Sequence, residues 1–221
     1  MTKLKGILLT EGMHGMISQV EGLAKALDIN YSHHTVETKG FWKVIPPKFT
    51  PISDSVFKKI ECEDVDLIIS CGRKSIIPSL FLKKNSKKKV FNIHIQNPKI
   101  KLDNFDLVVV PEHDNLDGHN VLKTKGAIHY LTSEEIEKDK EYLFSISSKL
   151  RDKNIISLII GGPTQYYDYS DRNIQEIFSK VNYLVKENNL NLVVIPSMRT
   201  PKGTIEPVSY THLTLPTICS V

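Results

Sequence analysis

Residues 157–167 read SLIIGGPTQYY. With Ile155 and Ile156 ahead of them, they give six residues suited to a buried strand, running straight into Gly161, Gly162, Pro163 and Thr164. A helical pattern follows over 171–186, and a second apolar run over 191–196. This is a strand–loop–helix–strand unit, and its strands carry almost no polar residue. Strands that are apolar throughout, rather than alternating, belong to parallel sheets covered on both faces. The rest of the chain has the same rhythm. A strand is predicted over 4–10 and a helix over 16–27, where Val20, Leu23, Ala24 and Leu27 share one face. Further strands are predicted over 31–37, 65–71, 90–96 and 105–111. A helix opens at Ser75, whose Pro78 is tolerated only within a first turn. Residues 40–54 read as a loop, with Pro46, Pro47, Pro51 and the single tryptophan, Trp42. A helix over 133–150 joins two such series, and Thr132 with Glu135 fits a capping box. The fold class is α/β. A first domain is expected over 1–150 and the beginning of a second over 151–206.

Composition narrows the function classes. The 221 residues are 40% hydrophobic and 24% charged, with a formal net charge of +4. That balance is globular and too weakly basic to argue for nucleic acid. Three cysteines without a CxxC pair point away from a zinc site and towards a reducing compartment. No apolar run approaches the roughly 20 residues of a membrane span, and the N-terminal run is too short for a signal peptide. A cytoplasmic protein is expected, peripheral to the inner face of a membrane at most.

The last residues stand apart. From Pro207 to Val221 there is no Lys, Arg, Asp or Glu. Residues 208–217, VSYTHLTLPT, resemble the in-frame translation of a transposase sequencing adapter. The expectation is that native sequence stops at Glu206 or Pro207, and that residues 207–221 are set aside from fold reasoning.

In open parallel sheets, ligands sit beyond the C-terminal ends of the strands. The residues placed there are Glu11-Gly12-Met13-His14-Gly15, Cys71-Gly72-Arg73-Lys74-Ser75, Gln96-Asn97-Pro98, Glu112-His113-Asp114, Gly161 to Thr164, and Ser197-Met198-Arg199-Thr200. Gly161 and Gly162 can expose backbone N–H groups to an anion, with the next helix N-terminus behind them. Thr164 adds a hydroxyl, and Arg199 can fork onto phosphate oxygens. The same glycines also suit a plain tight turn, with Arg199 in solvent. His14, between two glycines at a strand-to-helix turn, is a candidate general base or an exposed turn residue. Glu112, His113 and Asp114 are candidate catalytic or sugar-binding groups, or a solvated loop. Gly12-x-x-Gly15 is not the dinucleotide fingerprint, and Gly72-Arg73-Lys74-Ser75 lacks Walker spacing. No acidic pair of the DxD kind closes a strand, so no metal is implied. KKNSKKK, with Lys83, Lys84, Lys87, Lys88 and Lys89, is a solvated loop or a contact for anionic lipid.

ISCGRKSIIPSL (69–80), IQNPKIKLDNFDLVVVPEHD (95–114), NVLKTKGAIHYLT (120–132), LIIGGPTQYY (158–167) and PSMRTP (196–201), in this order, resemble the Elm-type mitochondrial-fission family. Bacterial members of that family are grouped with glycosyltransferases of surface-sugar synthesis. The resemblance implies a GT-B fold of two Rossmann-like domains, here with the second one truncated, and a nucleotide diphosphate sugar as donor rather than a bound cofactor. It implies a donor side at Gly161, Gly162, Pro163, Thr164, Ser197, Arg199 and Thr200. It implies an acceptor side, for a glycan or lipid-linked hydroxyl, at Gly12, His14, Gly15, Gln19 and Arg73, near residues 112–114. Two departures stand out: Met198 replaces an expected second basic residue, and Asn97-Pro98 replaces an expected Asp-Pro. A nucleotide-sugar epimerase and a non-catalytic fission adaptor are the alternatives. The 221-residue chain by itself is expected to be inactive.

Overall fold

The computed structural model describes residues 3–61, 64–167, 170–197, 199–201, 203 and 213–214. It divides into two compact units, Met1–Thr132 and Ser133–Val221.

The first unit is built on six parallel strands. They are β1 (Lys5–Thr10), β2 (Asn30–Thr35), β3 (Leu67–Cys71), β4 (Phe91–Ile95), β5 (Leu107–Pro111) and β6 (Val121–Thr124). Their spatial order is β2-β1-β3-β4-β5-β6, parallel throughout. Every residue of β3, and five of six in β1, is buried, as continuous apolar runs require. Successive side chains go to opposite faces. Ile7, Leu9 and Ile68 join a cluster with Ile76, Ile77 and Leu80 of α2 (Ile76–Asn85). Leu8, Ile69 and Cys71 join another with Val20 and Ala24 of α1 (His14–Ala26). The two helices therefore cover opposite faces. Gly22 lies against the returning chain after β6: a Cβ there would stand 2.6 Å from the backbone of His129.

Because β1 sits between β2 and β3, the chain leaves β1 towards one face and β3 towards the other. The loops after these two strands diverge, and a crevice opens between them.

The second unit opens with α3 (Ser133–Ile146), followed by β7 (Ile155–Ile160), α4 (Asp171–Glu187), β8 (Asn191–Pro196) and β9 (Leu213–Thr214). Its order is β7-β8-β9, again parallel. α4 is capped by Ser170, whose hydroxyl accepts from the Asn173 amide at 3.4 Å. Its apolar stripe, Ile174, Phe178 and Val185, packs on Ile160, Leu192 and Val194. The alternate residue Ile159 is 75% exposed, so β7 has one covered face among the described residues.

The contact division sets α3 with the second unit, whereas the sequence reading sets the boundary after residue 150. The tie is local: the Asn191 side chain donates to the Lys149 carbonyl at 2.9 Å, and Leu150 is buried. Two residues of the stretch set aside in the sequence, Leu213 and Thr214, pair with β8; the rest of 207–221 lies outside the described residues, as do Cys62 and Met198.

Candidate functional site

The crevice between β1 and β3 is lined by their two following loops. Gly12 has φ +83° and Gly72 φ +93°, values that L side chains avoid, so both turns need glycine. Gly72 is also a close-approach position, since a Cβ would fall 2.7 Å from Met16 Sδ and 3.0 Å from Glu11 Oε1. Into that space comes the Glu11 carboxylate. Its Oε1 accepts from the Lys74 amide at 3.0 Å, and its Oε2 pairs with Lys74 Nζ at 3.0 Å. One half-buried carboxylate thus ties the loop after β1 to the loop after β3. The sequence reading places both residues at strand ends without assigning them this role. The signal was there: an acid closing one strand and a lysine three residues past the next.

His14 is the first residue of α1 and is exposed. The Gly12 amide donates to Thr10 Oγ1 at 3.1 Å, and that oxygen lies 2.8 Å from His33 Nε2. Burial holds His33 below the usual imidazole range, against the pull of Glu21 and with a smaller contribution from His34 in the same sense. Gln19 turns back on its own helix, donating to the Gly15 carbonyl at 2.9 Å. Arg73 spends one guanidinium N–H on the Lys43 carbonyl at 2.8 Å. Burial first, and Glu11 second, push the Cys71 thiol up to about 12, which leaves it protonated and unreactive.

Glu112, His113 and Asp114 form a short 3-10 turn directly after β5, all exposed, with His113 Nε2 3.7 Å from Asp114 Oδ1. β5 lies three strand positions from β1. At roughly 4.8 Å per strand that is about 14 Å, so residues 112–114 share an edge with His14 and do not form one cluster with it. Asn97 accepts from the Lys99 amide at 2.9 Å, closing its own turn.

In the second unit the ends of β7 and β8 interlock. The Ser197 amide lies 2.8 Å from the Ile160 carbonyl and 2.9 Å from Thr200 Oγ1. Thr200 Oγ1 donates towards the Ile160 and Gly161 carbonyls at 2.8 and 2.9 Å. A Cβ on Gly162 would come within 2.3 Å of Arg199 Cβ and 2.7 Å of Arg199 O. Gly162 is thus required by contact with the Arg199 backbone, while the Arg199 residue itself is exposed. Thr164 turns inward: its Oγ1 accepts from the Tyr166 and Tyr167 amides at 3.2 and 3.1 Å. Pro163 is exposed. Between β7 and α4 lies a largely apolar pocket of about 480 Å³, lined by Leu158, Ile159, Ile160, Ile174, Ile177 and Phe178 with Glu176 and Lys180 among them, and by none of Gly161 to Thr164, Ser197 or Arg199.

Of the lysine run, Lys83 pairs with Asp106 and Lys88 with Asp66, each at 2.7 Å, while Lys84, Lys87 and Lys89 have no ion pair among the described residues. Among the described residues no group of three or more His, Cys, Asp or Glu could hold a metal ion, and no helix is long and apolar enough to cross a membrane.

Residues 14–218 match the family model described as Mitochondrial fission ELM1. The chain belongs to the mitochondrial fission ELM1 family. Within it, a 48-residue stretch is 35% identical to the Mitochondrial fission protein ELM1 of Arabidopsis thaliana. That match spans 22% of this chain and 11% of the plant protein's length. Among solved structures, the S. aureus MnaA–UDP co-structure aligns over 98% of this chain and 69% of that one, with a TM-score of 0.49 and 15% identity. As the resemblance implied, this is a family member, with its first unit a parallel α/β sheet domain covered on both faces.

Proposed function

We propose that this ELM1-family protein is a GT-B-type glycosyltransferase that moves a sugar from a nucleotide diphosphate sugar to a hydroxyl acceptor. The observation that supports the reading is the junction at the ends of β7 and β8, where Gly162 abuts the backbone of the exposed Arg199. Arg199 and loop amides would hold the diphosphate as it leaves. The acceptor oxygen attacks the anomeric carbon while the bond from that carbon to the diphosphate oxygen breaks. The acceptor proton passes to a general base, for which the candidates are His14 and a carboxylate of Glu112 or Asp114. No step calls for a metal.

The test is calorimetric titration with UDP, GDP and TDP, comparing the wild type with Arg199→Ala. A charge-assisted contact is worth about 1.5–3 kcal/mol, so the variant should bind roughly 10- to 150-fold more weakly. Equal affinity in the two proteins would remove the reading. Turnover of a nucleotide sugar without an acceptor would make the protein an epimerase. A second reading, with weaker support from the family match, is a non-catalytic fission adaptor. It requires that partner capture survive Arg199→Ala.

A further inference from the structure

The loop after β2 presents an unusual surface. Within thirteen residues, 40–52, Phe41 is 63% exposed, Val44 75% and Phe49 71%. The Phe41 ring lies 4.3 Å from that of Trp42, tilted by 32°, and Trp42 packs against the core. Lys43 and Lys48 are interleaved, and no Asp or Glu occurs between Thr38 and Ser53. Lys48 Nζ stands 5.8 Å over the Phe49 ring. The same loop forms one wall of a groove of about 590 Å³, with Lys48 and Ile52 on one side, Ile77 and Leu80 of α2 below, and Lys99 and Lys101 opposite. The Arg73 bond to the Lys43 carbonyl fixes the segment to the edge of the β1/β3 crevice. Exposed aromatic and branched side chains set among lysines, with no acid among them, complement a surface that is apolar beneath and anionic on top.

We propose that this face, Phe41 to Ile52 with Lys99 and Lys101, docks on the surface of a bilayer carrying anionic headgroups. The apolar side chains enter the interface and the lysines stay with the phosphates. Docking there would bring the C-terminal edge of the first sheet, with its crevice, against the lipid. The KKNSKKK run is the weaker candidate. Lys83 and Lys88 are already paired with Asp106 and Asp66. It also begins in the last turn of α2 and runs on towards β4, whereas the groove is lined by Ile77 and Leu80 of that helix and by Lys99 and Lys101 beyond the far end of β4.

The test is flotation of the full chain with vesicles of 30% phosphatidylglycerol in phosphatidylcholine, against phosphatidylcholine alone. The wild type should float with the anionic vesicles, more weakly with the neutral ones, and less at high salt. Phe41→Ser/Val44→Ser/Phe49→Ser and Lys48→Glu/Lys99→Glu/Lys101→Glu should each lose at least tenfold in binding, a juxtamembrane lysine being worth about fivefold. Lys84→Gln/Lys87→Gln/Lys89→Gln should stay within about threefold of wild type. Thermal melts within 2 °C of wild type show that each variant is folded, as expected for exposed positions. Absence of wild-type flotation overturns the proposal and leaves a protein partner for this face. Retention by the first two variants, or loss only in the third, overturns it equally. No turnover is read, so the outcome is separate from that of the transferase reading.

Discussion

Gly72→Ala is the most direct probe of the crevice. The added Cβ meets two obstacles. At φ +93° and ψ 160° the backbone lies in a region essentially reserved for glycine, which costs a side chain about 1–3 kcal/mol. The methyl would also stand 2.7 Å from Met16 Sδ and 3.0 Å from Glu11 Oε1, and overpacking of that kind costs about 1–3 kcal/mol. Against these, the loss of glycine's freedom in the unfolded chain returns about 0.4–1 kcal/mol. The net is about 3 kcal/mol, or about 10 °C in melting temperature for a unit of this size. Trp42, the only tryptophan, packs on the core of the first unit, so its fluorescence in urea reports this unit. The paired control is Gly15→Ala. Gly15 is the second residue of α1 and has nothing within 4 Å of a new Cβ; the change should be neutral or stabilising by up to about 1 kcal/mol. If Gly72→Ala stays within 1 kcal/mol of wild type, the close approach of Glu11, Met16 and Gly72 described above is wrong.

Two further outcomes follow from the same geometry. Thr200→Val keeps the shape but removes the hydroxyl that bridges Ser197 to the Ile160 and Gly161 carbonyls. It should cost about 1–2 kcal/mol, read as a lower urea midpoint of the second unit by circular dichroism; an unchanged midpoint would contradict the bridge, while exchange at Ser197 stays guarded by the Ile160 carbonyl at 2.8 Å. His94 is fully buried beside Ser70, stacked on Phe105, and burial lowers its pKa to about 3. Its folded value lies below its unfolded one, so its contribution is present above the unfolded pKa of about 6.5 and is lost as pH falls towards 3. Between pH 7 and pH 5 this group alone should cost about 2 kcal/mol, with His33 acting in the same sense. Urea midpoints should fall over that range, and less so in His94→Gln; an equal fall in both proteins would remove His94 from the account.

The elements that bury a continuous apolar run were legible in the sequence. β7 and β8 match their predicted spans, and β1, β3, β4 and β5 differ only at their ends. α1 begins at His14 rather than Met16, because helix entry was set by the Gly12 turn and not by apolar spacing. β6 was not resolved as a strand. VLKT is a short edge segment that shows no buried run, and it exists through pairing with β5. The 3-10 turns within residues 40–56 are likewise held by contacts distant in sequence, such as Thr38 with Phe57. At the candidate sites, residue type identified the strand-end groups but not their orientation. The Gln19 and Thr200 side chains bond to backbone carbonyls of their own helix and of the adjoining strand, and Ser197 Oγ lies 3.2 Å from Thr200 Oγ1, contacts that residue type does not foretell. Glu11 and Lys74 are 63 positions apart, and only the strand order makes them neighbours.

That carboxylate clasp bears on how the crevice would respond to an occupant. Two loops fastened to each other have fewer arrangements to lose when a guest arrives, so less of the gross interaction energy goes into ordering the host. Cutting the clasp with Glu11→Gln would leave the contact atoms in place while loosening their frame. The signature would be a more unfavourable binding entropy at similar enthalpy, the mark of a host that must be assembled around its guest.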